Sequence, residues 1–151
     1  MDDLRELYQD MIVDHNRSPR HFHPMDDATQ QVKGYNPLCG DDYTIYVKIH
    51  HDVLQSVSFT GHGCAISKAS ASVMCSMLIG KTVTQANELF ATFHSVLTEG
   101  VPDNQTIPTK IAAFSGVRQY PIRIKCATLP WHGLHSALST DETETSTEEG
   151  L

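Results

Sequence analysis

The chain predicts an α+β fold: a small antiparallel sheet of about three strands with helices packed on one side. Three observations carry that prediction. Helical periodicity opens the chain, alternation with hairpin-length connections follows over residues 43–59, and segments at helical spacing fill most of the remainder. At 151 residues the chain suits one domain able to bury a core, with no room for a second of useful size. No internal repeat interrupts this order.

Each element has its own signal. Leu4, Leu7, Tyr8, Met11 and Ile12 recur at helical spacing over residues 3–14, and Asn16-Arg17-Ser18-Pro19 ends that helix because the residue before proline disfavours the α region. Residues 43–49 alternate, with Ile45, Val47 and Ile49 on one face and Tyr46 and Lys48 on the other, the pattern of a half-buried strand. His50-His51-Asp52 turns the chain into a second strand, Val53 to Phe59, so the two pair antiparallel. A further strand is expected around Gln31–Gly34. Beyond Gly61-His62-Gly63 a helix of small residues follows, with Ile66, Ala69, Val73 and Met77 as its core stripe and Gly80 at its C-cap. Thr84 is the expected N-cap of the next helix, which buries Ala86, Leu89, Phe90, Phe93 and Leu97 and stops at Gly100. Residues 101–109 read as a loop, 110–115 as one helical turn, and the last helix as running from near Cys126 to Leu138.

Charge and composition exclude several function classes. Of the formal charge of −7, the five acidic residues Asp141, Glu142, Glu144, Glu148 and Glu149 carry −5, leaving the body near −2. Residues 139–151 read as a disordered acidic tail beyond a domain of residues 1–138, because such a segment cannot bury enough apolar surface to order itself. No basic stripe suits nucleic acid. No apolar run approaches the ~18 residues that span a bilayer. The N-terminus, Met1-Asp2-Asp3-Leu4-Arg5-Glu6, lacks the basic start and apolar stretch of a signal peptide, so a cytoplasmic location is expected. In that compartment four cysteines point to metal or thiol chemistry rather than disulfides.

Three of those cysteines fall at predicted element boundaries. Cys39 lies in the turn Tyr35-Asn36-Pro37-Leu38-Cys39-Gly40-Asp41, Cys64 follows Gly63 where strand gives way to helix, and Cys126 is expected to open the final helix. Thiolates at helix N-termini are stabilised by the dipole and the unpaired N–H groups. Asp41, two residues from Cys39, supplies a carboxylate, and three thiolates with one carboxylate make a tetrahedral zinc set. Arg118, Arg123 and Lys125 cluster before Cys126 and would offset the excess negative charge. A carboxylate is a harder and less committed zinc partner than a fourth thiolate, so the set suits ligand exchange. Any one of these cysteines alone reads as a buried structural residue, and no CxxC pair strengthens the pattern. Cys75, eleven residues beyond Cys64 in the same predicted helix, is about 16 Å further along it and reads as core. His15, His21, His23, His50, His51, His94, His132 and His135 read as surface residues, His62 as a weak candidate for an orienting or proton-transfer role, and Trp131 as a core plug.

At these residues the chain resembles the IscU/NifU-type family, and most of all its SufU-like branch. The resemblance covers the chain to about residue 138. Its pieces are Tyr8…Ile12…Asp14-His15…Pro19-Arg20, then Tyr35-Asn36-Pro37-Leu38-Cys39-Gly40-Asp41, then Gly61-His62-Gly63-Cys64-Ala65-Ile66-Ser67, and last Val117-Arg118…Pro121…Arg123-Ile124-Lys125-Cys126-Ala127-Thr128-Leu129…Trp131. It implies an IscU-like α+β fold, a role in iron–sulfur cluster assembly, and zinc on Cys39, Asp41, Cys64 and Cys126. It further implies that Cys39 is the catalytic cysteine of a zinc-dependent sulfurtransferase. In this role Cys39 accepts persulfide sulfur from a PLP-dependent cysteine desulfurase of the SufS type, which supplies a histidine to the zinc in its place. Downstream iron–sulfur assembly proteins would be further partners.

Three departures separate the chain from the scaffold branch of that family. Lys125 stands where scaffolds carry a histidine before the last cysteine. Val117-Arg118-Gln119-Tyr120-Pro121-Ile122-Arg123 replaces their proline-rich chaperone-docking stretch. Cys64 and Cys126 are 62 residues apart, a longer separation than in scaffolds. These favour sulfur relay, with Arg123, Arg118 and Lys125 balancing charge. The alternatives are a scaffold that assembles a transient iron–sulfur cluster on the same cysteines, and a zinc-stapled interaction module without thiol chemistry.

Overall fold

A computed structural model of the chain describes residues 2–37, 40–103, 106–139 and 144–146, with side chains described for 4–37, 40–103 and 106–138. Helix α1 (Asp2–Arg17) is followed by strands β1 (Gln30–Asn36), β2 (Asp41–His50) and β3 (Val53–His62), then α2 (Ala65–Leu78) and α3 (Val83–Glu99). A short α4 (Thr109–Ala113) runs into a 3-10 turn (Phe114–Gln119), and α5 (Pro121–Ser139) and a three-residue β4 (Glu144–Ser146) complete the order. The predicted α+β class holds. β1, β2 and β3 form the antiparallel meander, with α5 against β1 and β2, and α2 against β3.

The sheet order is β3-β2-β1-β4, with β4 parallel to β1. The described sheet thus has a fourth strand beyond the expected three, and it comes from residues read in the sequence as tail. The other residues of that segment, 140–143 and 147–151, lie outside the described residues. His51 and Asp52, both at positive φ, form the two-residue turn between β2 and β3, whose mirror-image geometry matches the strands' right-handed twist.

Alternation along β2 decides what faces the helices. Asp41, Tyr43, Ile45 and Val47 are all buried, as are Val32 and Asn36 on β1. The inward face is therefore apolar over most of its length and turns polar at Asn36 and Asp41, which pair across the hairpin.

Helix α2 is more central than an amphipathic stripe suggests, since residues 69–75 are buried without interruption. Its small residues serve two neighbouring helices. Ser70 Oγ donates to the Ala127 carbonyl on α5, and Ser72 Oγ meets His15 Nδ1 of α1 at 2.7 Å. His15 is thus a buried residue, 3% exposed, and not the expected surface one. Burial lowers its pKa to about 4, so at neutral pH the ring is uncharged.

Two helix starts differ from expectation. Thr82, not Thr84, caps α3: its hydroxyl accepts the Gln85 N–H and the Gln85 side chain accepts the Thr82 N–H, a complete capping box. Helix α5 begins at Pro121, whose fixed φ and missing N–H suit the first helical position. Cys126 consequently lies in the second turn of α5 and does not open it. His135 packs flat on Phe90 with ring centres 4.4 Å apart and shares a hydrogen bond with Asn87, and His94 and His132 flank the same ring, so these three are half-buried packing residues. Trp131 is the expected core plug, stacked on Phe93 at 4.3 Å.

Candidate metal centre

Three elements converge on one point: the start of β2, the start of α2 and the second turn of α5. They bring a carboxylate oxygen of Asp41 and the Sγ atoms of Cys64 and Cys126 within 4.8 Å of one another. Strand parity buries Asp41, which occupies the inward position two residues before Tyr43. Cys64 is the N-cap of α2, its sulfur accepting the Ser67 N–H at 3.4 Å. Cys126 is fully buried and accepts a hydrogen bond from Asn36 Nδ2 at 3.4 Å. The turn between β1 and β2 is closed by Gly40, at φ +71°, whose N–H donates to the Asn36 carbonyl. Cys39, in that turn, lies outside the described residues.

The residues fit a bound metal on evidence independent of the thiols. Asp41 Oδ1 accepts the Cys64 N–H at 2.8 Å and the Ser67 hydroxyl at 3.1 Å. Its other oxygen, Oδ2, is buried and has no hydrogen-bond partner among the described residues. A buried carboxylate oxygen left without a donor is costly, and a cation held by Asp41 and the two sulfurs would offset that cost. Gly63 is required for this geometry, because a Cβ there would come 2.5 Å from Asp41 Oδ1 and 2.7 Å from the Tyr43 hydroxyl. Two sulfurs and one carboxylate oxygen match the ligand preferences of zinc, with a fourth position for a further ligand.

The electrostatics suit thiolate chemistry. The Cys64 thiol is pulled down to about 6, chiefly by hydrogen bonding with Cys126, helped by the Ser67 donors and opposed by burial and by Asp41. Tyr43 is pushed above the usual phenol range by burial, so it remains a donor. Tyr8 rises to about 12 for the same reason, with Tyr120 the next contributor.

The predicted supporting residues separate. Arg123 reaches the site, its Nη1 3.9 Å from Cys126 Sγ. Arg118 folds over Gly100, and lines with Arg5, Tyr8 and Tyr120 a cleft of about 490 Å³ between α1 and the 3-10 turn. Lys125 is exposed, and so is His62 at the end of β3. Cys75 is buried in the apolar core, where desolvation raises its pKa far above the thiol range, as a core residue should be. Sequence reasoning overlooked Asn36, Tyr43 and Ser67. All three carried a signal: Asn36 and Ser67 lie inside the motifs around Cys39 and Cys64, and Tyr43 shares the parity of Ile45 and Val47.

Comparison with known proteins sets this helix-backed meander, with its thiols and carboxylate at one end, among iron–sulfur cluster assembly proteins. The profile of the family described as NifU-like N terminal domain matches residues 7–127, and the chain belongs to that family. It is 34% identical over 139 residues to the zinc-dependent sulfurtransferase SufU of Bacillus subtilis, covering 92% of this chain and 94% of that protein. It is 35% identical over 135 residues to the iron–sulfur cluster assembly scaffold protein IscU of Streptococcus pyogenes, covering 89% and 84% respectively. Among solved structures, a protein described as an iron–sulfur cluster assembly scaffold for the SUF system, from Fervidobacterium islandicum, superposes with a TM-score of 0.81 at 34% identity, covering 89% of this chain and 98% of that one. Among the described residues no helix is long and apolar enough to cross a membrane.

Proposed function

We propose that this chain is a cytoplasmic, zinc-dependent sulfur-transfer protein of iron–sulfur cluster assembly, holding zinc on Cys39, Asp41, Cys64 and Cys126 and accepting sulfur on Cys39. The observation that carries this reading is the buried Asp41 carboxylate grouped with two thiols, one of its oxygens having no hydrogen-bond partner among the described residues. The similarity to the B. subtilis sulfurtransferase supports it. Zinc, when bound, supplies a Lewis acid that holds its thiol ligands deprotonated.

The remaining steps belong to the chain. The Cys39 thiolate attacks the outer sulfur of a persulfide on a PLP-dependent cysteine desulfurase. The S–S bond of that persulfide breaks, its cysteine leaves as a thiolate, and the sulfur remains on Cys39 as a new persulfide. Arg123 beside Cys126 offsets negative charge at the site. Exposed side chains on segments next to the ligands suit a docking partner: Tyr35 on β1, Tyr120 before α5, and Ile122, 68% exposed, in its first turn.

A scaffold reading is favoured by one finding: the IscU relatives are as similar as the sulfurtransferase. Both readings use the same donors, so metal content and transfer separate them. Protein purified without oxygen should carry one zinc per chain, and incubation with its desulfurase and cysteine should place the extra sulfur on Cys39 in peptide mass spectra. Protein that arrives iron-loaded, and gains no sulfur at Cys39, defeats the sulfur-transfer reading.

A further inference from the structure

The two oxygens of Asp41 are treated differently by their surroundings. Oδ1 receives the Cys64 N–H and the Ser67 hydroxyl, while Oδ2 receives no donor among the described residues. Ser67 is itself buried, and its Oγ lies 3.0 Å from the hydroxyl of buried Tyr43. A serine has one proton to give. A carboxylate only accepts, so a serine proton given to Asp41 Oδ1 leaves Ser67 Oγ to accept from the Tyr43 hydroxyl, with the Cys64 carbonyl competing for that proton.

From this asymmetry we infer that Tyr43 and Ser67 are positioning residues that hold Asp41 as a one-oxygen ligand, so that the carboxylate stays on the metal when a thiolate leaves. The inference rests on the reading that the site holds zinc. Its physical basis is occupancy. Oδ1 accepts from two protein donors, so two-oxygen chelation would disturb the hydrogen bonds from the Cys64 N–H and the Ser67 hydroxyl. The Cys64 amide adds a second constraint, because the residue that supplies one ligand sulfur also fixes the carboxylate, tying the spacing of two ligands to the first turn of α2. Ligand type alone presents the carboxylate as the less committed partner. Its hydrogen bonding places Asp41 in the fixed part of the site and leaves exchange to a cysteine. Gly63 belongs to the same device, since any side chain there would occupy the space between Asp41, Ser67 and Tyr43.

The test uses the full chain, Zn²⁺ with a chelator competitor, and Co²⁺ as a spectroscopic stand-in. Ser67→Ala should weaken zinc binding about 10- to 100-fold, the usual range for loss of an outer-sphere partner. Tyr43→Phe removes one oxygen, keeps the ring in the core, and should weaken binding several-fold with little change in the melting temperature of metal-free protein. The double variant should bind no more weakly than Ser67→Ala, because Tyr43 acts through Ser67. In the parent the cobalt bands should have the intensity of a four-coordinate site, and in Ser67→Ala they should weaken as Asp41 turns to chelate through both oxygens. Variants that bind zinc within twofold of the parent, with unchanged cobalt bands, overturn the positioning role alone. A parent chain that binds neither metal overturns the zinc reading and the positioning role together.

Discussion

Helix α2 carries a cysteine at its start and another eleven residues on, and the two have opposite chemistry. Cys64 caps the helix, half-exposed, with the Ser67 N–H on its sulfur, Cys126 beside it and a pKa drawn down to about 6. Cys75 is fully buried in the hydrophobic core, and its pKa is pushed up by desolvation. Residue type is constant and so is the helix. What differs is the supply of donors: a helix start has unpaired N–H groups and meets a second thiol and a carboxylate, whereas the middle of the helix has spent its N–H groups on its own carbonyls.

Metal content should break that comparison most sharply. Cys64→Ser and Cys126→Ser should each lower bound zinc from about one per chain to near none, with a large fall in the melting temperature of protein purified with its metal, since metal binding adds directly to folding free energy. Cys75→Ala should keep its full zinc. Zinc retained by Cys64→Ser, or lost from Cys75→Ala, would place the metal elsewhere.

Alkylation of metal-free protein sharpens the contrast on a smaller scale. With a pKa near 6, Cys64 is about nine-tenths thiolate at pH 7, so its iodoacetamide rate should climb between pH 5 and 7 and then level. Cys75 should stay unmodified at every pH at which the chain is folded. Peptide mass spectrometry assigns the label to each cysteine. A Cys64 rate still climbing steeply above pH 8 would mean that the Cys126 and Ser67 contacts do not stabilise its thiolate.

The smallest effect concerns packing. Cys75→Ala should cost about 1 kcal/mol by denaturant unfolding, the loss of one buried atom and the small cavity it leaves, with sulfur transfer unchanged. A cost above about 3 kcal/mol would show that Cys75 carries more than a core atom.

Much of this molecule was legible as pattern. The alternation of β2, the two-residue turn at His51-Asp52, the termination of α3 at Gly100 and the central place of Trp131 all follow from local rules that short stretches of sequence obey. The capping box at Thr82 and the proline start of α5 were equally local and were misread by two residues and about five. His15 is different in kind. Its place four residues after Met11 puts it on the buried face of α1, but the partner that satisfies the buried imidazole, Ser72, is 57 residues away.

The candidate centre divides the same way. Sequence by itself determined which residues are competent: thiols and a carboxylate beside glycines, in a chain without a basic stripe or an apolar span. It also set the parity that turns Asp41 inward with Tyr43. Only the tertiary structure decided which of these groups meet. It gathered Asp41, Cys64 and Cys126, kept Arg123 close to Cys126, and sent Arg118 to the cleft over Gly100. It also determined that one Asp41 oxygen accepts two hydrogen bonds and the other none among the described residues. The physical reason is range: propensity, capping and alternation act over a few residues, whereas burial and hydrogen bonding at the site depend on three segments joined only when the helices pack on the sheet.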